Sequence, residues 1–463
     1  MAKKPLGLDG QGIQKTMRAT NYLGDGVGQV GLNIMTGLLG VLVYFYTDKV
    51  GIAAAAAGTV MLISKVVDAF TDIGMGYLLD RTKSRWGKAR PWLLWGAVPA
   101  GLAVAALFLV PAGASDSVKF GYALATNIFL SAVMFTAVVI PFGSLMFYAT
   151  QSSEERGRMG ITRAIFGYLG GMVIAIAYIP ITNALGGDQA GWIKFGLGCA
   201  LATTVALLIA FSANPERNSE PAESEAEEHL PLVQSLSLLF RNKYWVMMLA
   251  VQTLSAVVFA LTSAAGIYYV KWIIGDENLM ALLGGIGLLP VLVGFAAVGP
   301  LSKRFGMAKT ARIALVIGIV ATLIRCLFPM DLWALLVVGP FVTLATIPLM
   351  AVSGPLVQNT VTYGEWKFGR RQVGMANAAT SFGGKIGNGL GAALIGWVLA
   401  LGGYDGAAAS QTPAAVNAIL ATSIWIPGVF LVLCWLGLHW YDLESKFSDI
   451  TKDLEERAQA VTA

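Results

Sequence analysis

About twelve stretches of roughly 20 or more mostly apolar residues run along this chain, each long enough to cross a bilayer as a helix, and no other feature limits its fold so strongly. They lie near residues 22–47, 52–79, 92–111, 119–148, 161–184, 191–213, 244–274, 279–302, 310–329, 332–361, 374–402 and 412–441, predicted here as helices 1 to 12. Hydrocarbon offers no partner for backbone N–H and C=O groups, so each run must satisfy them internally. The expectation is an all-α membrane protein. Of the 463 residues 56% are hydrophobic and 13% charged, against about a quarter charged in a soluble domain, too few to coat two or three water-soluble domains. Soluble dehydrogenases, kinases and DNA-binding proteins are therefore excluded. The formal charge of +5 is no nucleic-acid footprint, because Lys and Arg fall in short segments between apolar runs. Cys199, Cys326 and Cys434 are scattered, and His229 and His439 are far apart, so neither a disulfide framework nor a zinc site is expected, and no cofactor. The basic N-terminus lacks the apolar core and cleavage site of a signal peptide.

The positive charges set an orientation. Arg81, Lys83, Arg85, Lys88 and Arg90 follow helix 2, Arg156 and Arg158 follow helix 4, and Lys303, Arg304, Lys309 and Arg312 follow helix 8. Such loops face the cytoplasm, and with them both termini. The acidic, Pro- and Ser-containing stretch after helix 6 reads as a cytoplasmic linker with a surface helix after Leu230. The expected organisation is a six-helix bundle over 1–213, a linker over 214–243, a second six-helix bundle over 244–442 and a cytoplasmic tail over 443–463. Helix 2 ends in GYLLDRTKSRWGKAR and helix 8 in GPLSKRFGMAKTAR, an echo that suggests duplication. Two related halves around a midplane site are the physical basis of an alternating-access carrier. A channel or membrane enzyme is less favoured, since there is no filter-like sequence and no metal-binding His pair. The glycine-rich run from Gly383 to Gly396 would let helices approach closely and slide.

Charged side chains within spans are informative, because each costs about 2.5 to 3.5 kcal/mol at a helix centre on insertion scales. Lys65, Asp68 and Asp72 share one face of helix 2, near its middle, with Thr71 alongside. Two carboxylates a turn apart at low dielectric repel, which favours a proton or small cation between them. The alternative is a structural ion pair in which Lys65 neutralises one aspartate. Helix 4 adds Asn127 and Thr136 as uncharged oxygens. Arg163, expected about one turn inside helix 5, is a ligand or a snorkelling anchor. Helix 11 presents Asn377, Ser381, Lys385 and Asn388 as a polar stripe, with Lys385 expected to reach a helix 2 aspartate. Gln358, Tyr363 and Glu365 at the end of helix 10 are expected to contribute polar contacts or to gate the cytoplasmic end, and Gln252 on helix 7 and Arg325 on helix 9 are further candidates, where a helix-to-helix hydrogen bond is the alternative.

The blocks VDAFTDIGMGYLLDRTKSRWGKARPWLLWG (Val67 to Gly96), YFYTD (Tyr44 to Asp48), IPFGSL (Ile140 to Leu145), TVTYGEWKFGRR (Thr360 to Arg371) and SFGGKIGNGLGAA (Ser381 to Ala393) resemble the glycoside-pentoside-hexuronide:cation symporters. This sugar-carrying branch of the major facilitator superfamily includes the melibiose and bacterial glucuronide carriers. The resemblance implies the major facilitator fold, twelve helices in two six-helix bundles, and uptake driven by Na⁺, Li⁺ or H⁺. It places Asp68 and Asp72 on the two carboxylates that hold the coupling cation, Thr71 on a neighbouring asparagine and Thr136 on the helix 4 threonine of that site. Lys385 matches the family's helix 11 lysine and Arg163 its helix 5 arginine near the sugar.

The sugar shell departs from the melibiose carrier: Leu32 or Asn33 and Val139 stand where that carrier has aspartates, and Gly143 where it has tryptophan. Asn33, Asn127, Arg163, Gln252, Tyr363, Lys385 and Asn388 are the expected substrate residues, and Lys65 and Lys385 the expected coupling ion pairs. Asp80, Arg81, Arg85, Arg90 and Glu365 are expected at a cytoplasmic gate. Fewer acids with Arg163 and Lys385 kept would suit an acidic sugar such as a glucuronide, with neutral xylosides and glucosides as the alternative. The expected function is cation-coupled symport of a sugar or sugar acid, with Na⁺ or H⁺ as coupling ion, by a monomer in the bacterial inner membrane whose other partner is the lipid bilayer. Rival readings are a carrier of amphipathic lipids or drugs, and a non-transporting sugar sensor.

Overall fold

A computed structural model describes residues 6–9, 13–217, 232–370 and 372–462. Among these residues, twelve helical stretches are long and apolar enough to cross a membrane. They are helix 1 Ala19–Lys49, helix 2 Ala54–Leu79, helix 3 Arg90–Phe108, helix 4 Asp116–Ala149, helix 5 Glu154–Ala184, helix 6 Gln189–Ala213, helix 7 Lys243–Ile274, helix 8 Leu279–Phe305, helix 9 Met307–Leu327, helix 10 Ala334–Phe368, helix 11 Met375–Leu401 and helix 12 Pro413–Leu454. The last continues into a tail helix, Leu443–Thr462. A short amphipathic helix, Leu232–Arg241, precedes helix 7.

The ends of these helices follow from local chemistry. Asp188 and Asn242 cap helices 6 and 7 by accepting from Gly191 N and Trp245 N, and Thr412 with Pro413 opens helix 12. Gly306 separates helices 8 and 9 with φ +89°, a backbone value that residues with a Cβ rarely adopt. Helix 5 corrects the sequence expectation. It begins at Ser153, not near residue 161, because the Ser152 hydroxyl accepts from Glu155 N and two glutamates sit in its first turn. Arg156 and Arg158 therefore lie on the helix, and Arg163 falls in its third turn.

The chain divides into two compact units, Met1–Glu227 and Glu228–Ala463. In the first, helix 1 packs on helices 5 and 6, helix 2 on helix 4 and helix 3 on helix 6. In the second, helix 7 packs on helices 11 and 12, helix 8 on helix 10 and helix 9 on helix 12. Adding six to each helix number converts the first set of pairs into the second. Turns of π-helix match this correspondence only in part: Phe45–Lys49 and Val270–Ile274 end helices 1 and 7, while Phe129–Phe135 lies within helix 4, Ala334–Val338 opens helix 10 and Ala421–Trp425 lies within helix 12. The duplication hinted at by the helix 2 and helix 8 endings is thus carried by the packing.

Close packing depends on small residues, as expected for helices that gain little from burying apolar surface in lipid. A Cβ on Gly387 would lie 2.3 Å from the Thr253 carbonyl oxygen, and one on Gly391 2.8 Å from that of Val257. The glycine stripe of helix 11 thus lies directly on the backbone of helix 7.

Candidate cation and substrate site

Helix 2 carries the centre of the site. Asp68 lies mid-way along Ala54–Arg81, as far from either membrane surface as this helix allows, and its side chain is fully buried. The Lys65 ammonium lies 3.1 Å from Asp68 Oδ2. Asp72, one turn further, is half-buried. Thr136 on helix 4 meets both acids: its Oγ1 is 3.1 Å from Asp68 Oδ1 and 3.0 Å from Asp72 Oδ1. Helix 4 delivers that hydroxyl from the residue that follows a seven-residue π turn, Phe129–Phe135. A π turn shifts the helix phase locally, and such turns are frequent at functional sites.

Proton counting at Thr136 shows what this arrangement can hold. A hydroxyl has one proton to donate and two lone pairs to accept with. It cannot donate to two ionised carboxylates at once. Both contacts are satisfied when one carboxyl is protonated and donates back, or when a small cation lies among the three oxygens. Hard cations such as Na⁺ take oxygen donors of this kind. Thr71 adds an oxygen whose proton is donated to the Asp68 carbonyl at 3.1 Å. Residues Asp68, Asp72 and Thr136 are therefore brought together, with Lys65 as the built-in counter-charge of Asp68, while the Thr71 hydroxyl is bonded to its own helix.

Arg163 is held in a buried ion pair that the sequence reading did not include. Its guanidinium donates Nε to Asp25 Oδ2 at 2.7 Å and Nη2 to Asp25 Oδ1 at 2.8 Å, and lies 3.9 Å from the centroid of the Phe142 ring. Asp25 is fully buried on helix 1. This forked ion pair stitches helices 1 and 5 inside the first unit, and Arg163 is not a snorkelling anchor. Asp25 is the charge that sequence reading missed: it lies near the expected start of helix 1 and so resembles an end residue. The available signal was Arg163 itself, a charge deep in a helix that needs a partner.

The remaining candidates divide. Asn33 donates to the Gly167 carbonyl and accepts from Gln29, so its amide joins helices 1 and 5. Asn127 is buried with its amide 3.3 Å from the Met61 sulfur. In the second unit, Asn377 and Ser381 are exposed and Lys385 and Asn388 half-buried, so the helix 11 stripe remains accessible. Asn388 donates to the Gly384 carbonyl at 3.2 Å and Gln358 to Asn377 at 3.3 Å. Gln252 is half-buried on helix 7. Tyr363 is packed edge-on against Tyr244, with its hydroxyl 3.2 Å from Lys367 Nζ, a core position. Arg325 is buried beside Tyr269.

Among the expected gate residues, the Asp80 side chain lies outside the described residues. Arg81 covers the Tyr77 ring, Arg85 covers Trp86, and Glu365 is half-buried. Arg90 donates to the Phe211 carbonyl through Nε and Nη2, at 3.1 and 2.9 Å, which joins helices 3 and 6.

Residues 24–445 match the family described as MFS/sugar transport protein. The chain belongs to this family. It is 31% identical over 426 residues to the isoprimeverose transporter of Lactiplantibacillus pentosus, covering 90% of this chain and 87% of that one. It is also 31% identical to the glucuronide carrier protein homolog of Escherichia coli K12, covering 90% and 91%. Among solved structures, a bacterial homolog of the human lysosomal transporter Spinster matches with a TM-score of 0.68 at 12% identity, over 93% of this chain and 98% of that one. That likeness shows the major facilitator fold. The chain is a multi-pass membrane protein of a sugar-transport family.

Proposed function

We propose that this protein imports a sugar or glycoside by symport with Na⁺ or H⁺, cycling by alternating access as a monomer in the bacterial inner membrane. The positive-inside pattern supports an orientation with the basic loops and both termini in the cytoplasm. The observation that carries the coupling is the Thr136 hydroxyl within hydrogen-bond distance of both Asp68 and Asp72. A cation taken up there relieves the repulsion between the two acids and fixes helix 2 against helix 4, which pre-organises the first unit for sugar. Within the second unit, Lys385, Asn388 and Gln252 are the residues proposed to offer polar contacts to sugar.

The buried Asp25 alters the choice of substrate. Arg163 is already neutralised within its own helix pair, so it does not supply the net positive charge that a hexuronide carboxylate would need. A neutral glycoside is the proposed substrate class, with a sugar acid held at Lys385 as the second reading, since the chain is equally 31% identical to an isoprimeverose transporter and to a glucuronide carrier homolog. The test is uptake of labelled neutral glycosides and glucuronides into proteoliposomes, driven in turn by a Na⁺ gradient and a pH gradient. Concentrative uptake of a neutral glycoside under one gradient is expected. Accumulation of amphipathic lipids or drugs instead, or sugar binding without any uptake, overturns the proposal.

A further inference from the structure

The loop that joins helices 2 and 3 encloses a cavity of about 440 Å³, distinct from the cation site. Its walls include Lys83, Arg85, Lys88, Arg90 and Arg217, against a single carboxylate, Glu216. That carboxylate is already engaged: its oxygens accept the backbone N–H groups of Lys88, Ala89 and Arg90, each at 2.7 Å. The loop is built to hold this shape. Ser84 Oγ donates to the Gly87 carbonyl, Gly87 adopts φ +106°, and a Cβ there would fall 2.1 Å from Glu216 Oε2. Arg90 is fixed on the Phe211 carbonyl, and Arg217 on the Ala149 carbonyl. Among the described residues no carboxylate pairs with Lys83, Arg85 or Lys88.

A pocket in which three cations lack a carboxylate partner among the described residues calls for an anion, and its position identifies the kind. It opens at the end of helices 2 and 3, beside a cluster in which Trp86 packs edge-on against Trp95 and Phe211. Trp95, Tyr77 and Leu78, next to it, are half exposed or more. Tryptophan and tyrosine favour the level of lipid headgroups, and basic pockets at that level attract anionic headgroups. We infer that this cavity is a binding site for the phosphate headgroup of an anionic phospholipid, with acyl chains lying on the adjoining Trp95 and Tyr77 surface. The assignment to the inner leaflet rests on the orientation proposed above; the site itself does not depend on transport.

Native mass spectrometry of the purified protein with phosphatidylglycerol or phosphatidylethanolamine tests this directly. The parent should retain phosphatidylglycerol about tenfold better, and the variant Lys83→Gln/Arg85→Gln/Lys88→Gln should lose that preference. A charge-matched variant in the other unit, Lys303→Gln/Arg304→Gln/Lys309→Gln, should keep it, and an unchanged melting temperature confirms that both variants fold. Equal retention by the parent and the first variant overturns the site, including the case in which the acidic segment after Arg217 fills the cavity itself. Equal loss in both variants reduces the effect to general charge and also overturns it. Displacement of the lipid by millimolar inorganic phosphate assigns the cavity to a free anion and overturns the lipid reading.

Discussion

At the scale of single residues, the polar groups of the first unit divide into those that hold helices together and those left with chemistry to do. Asp25 and Arg163 belong to the first kind. Removing one partner of such a buried pair leaves an uncompensated charge, at a cost of about 3–5 kcal/mol, whereas replacing both by apolar side chains is often tolerated. Arg163→Met alone is therefore expected to lower the melting temperature sharply, and Asp25→Leu combined with it to restore most of the loss. If the double variant folds and still binds glycoside, Arg163 acts only through the pair. If it folds and binding disappears, Arg163 also touches substrate. The helix 2 acids were legible in the sequence because charges in mid-span are costly and i, i+3 and i+7 spacing places them on one face. Thr136 was legible as an uncharged oxygen of helix 4, but its place beside the two acids came only through family resemblance, since no spacing rule relates residues of two different helices. Asp25 was hidden by the uncertainty of a helix boundary.

At the scale of elements, the sequence located every span but not its ends. Helix 5 is longer by about two turns because the Ser152 cap starts it at Ser153, a local signal in the sequence, and contacts from outside then hold its first residues. The Glu155 carboxylate accepts from Thr16 N at 3.0 Å and Met17 N at 2.8 Å, and the Ser152 hydroxyl donates to Asp9. These reinforcing contacts come from distant parts of the chain, so local pattern shows the cap but not them. The π turn before Thr136 is likewise invisible in a run of apolar residues. Glycine spacing, by contrast, was informative. Gly387→Leu must push helix 11 away from the Thr253 carbonyl, and its melting temperature should fall well below that of the parent protein. Gly384→Ala, on a face where a Cβ would meet nothing within 4 Å, should leave the melting temperature unchanged. Equal behaviour of the two variants would show that the glycine contact with helix 7 is not what sets the spacing of these helices.

At the scale of the whole molecule, duplication explains why the same pairs of helices pack in both units, while chemistry is distributed unequally. The first unit holds the paired acids and the second the accessible lysine and amide stripe of helix 11. Symport needs the two to communicate as a coupling free energy, which is reciprocal: a cation that tightens sugar binding is itself tightened by sugar to the same degree. The most direct test is sugar affinity of the purified protein by calorimetry, titrated against Na⁺ at fixed pH and against pH without Na⁺, for the parent and for Asp72→Asn. The parent should show about 5- to 150-fold tighter binding as one of these cations is added, and Asp72→Asn should show the same affinity with and without it. Cation dependence that survives intact in Asp72→Asn, or a parent indifferent to both Na⁺ and pH, would contradict the assignment of the coupling site to Asp68, Asp72 and Thr136.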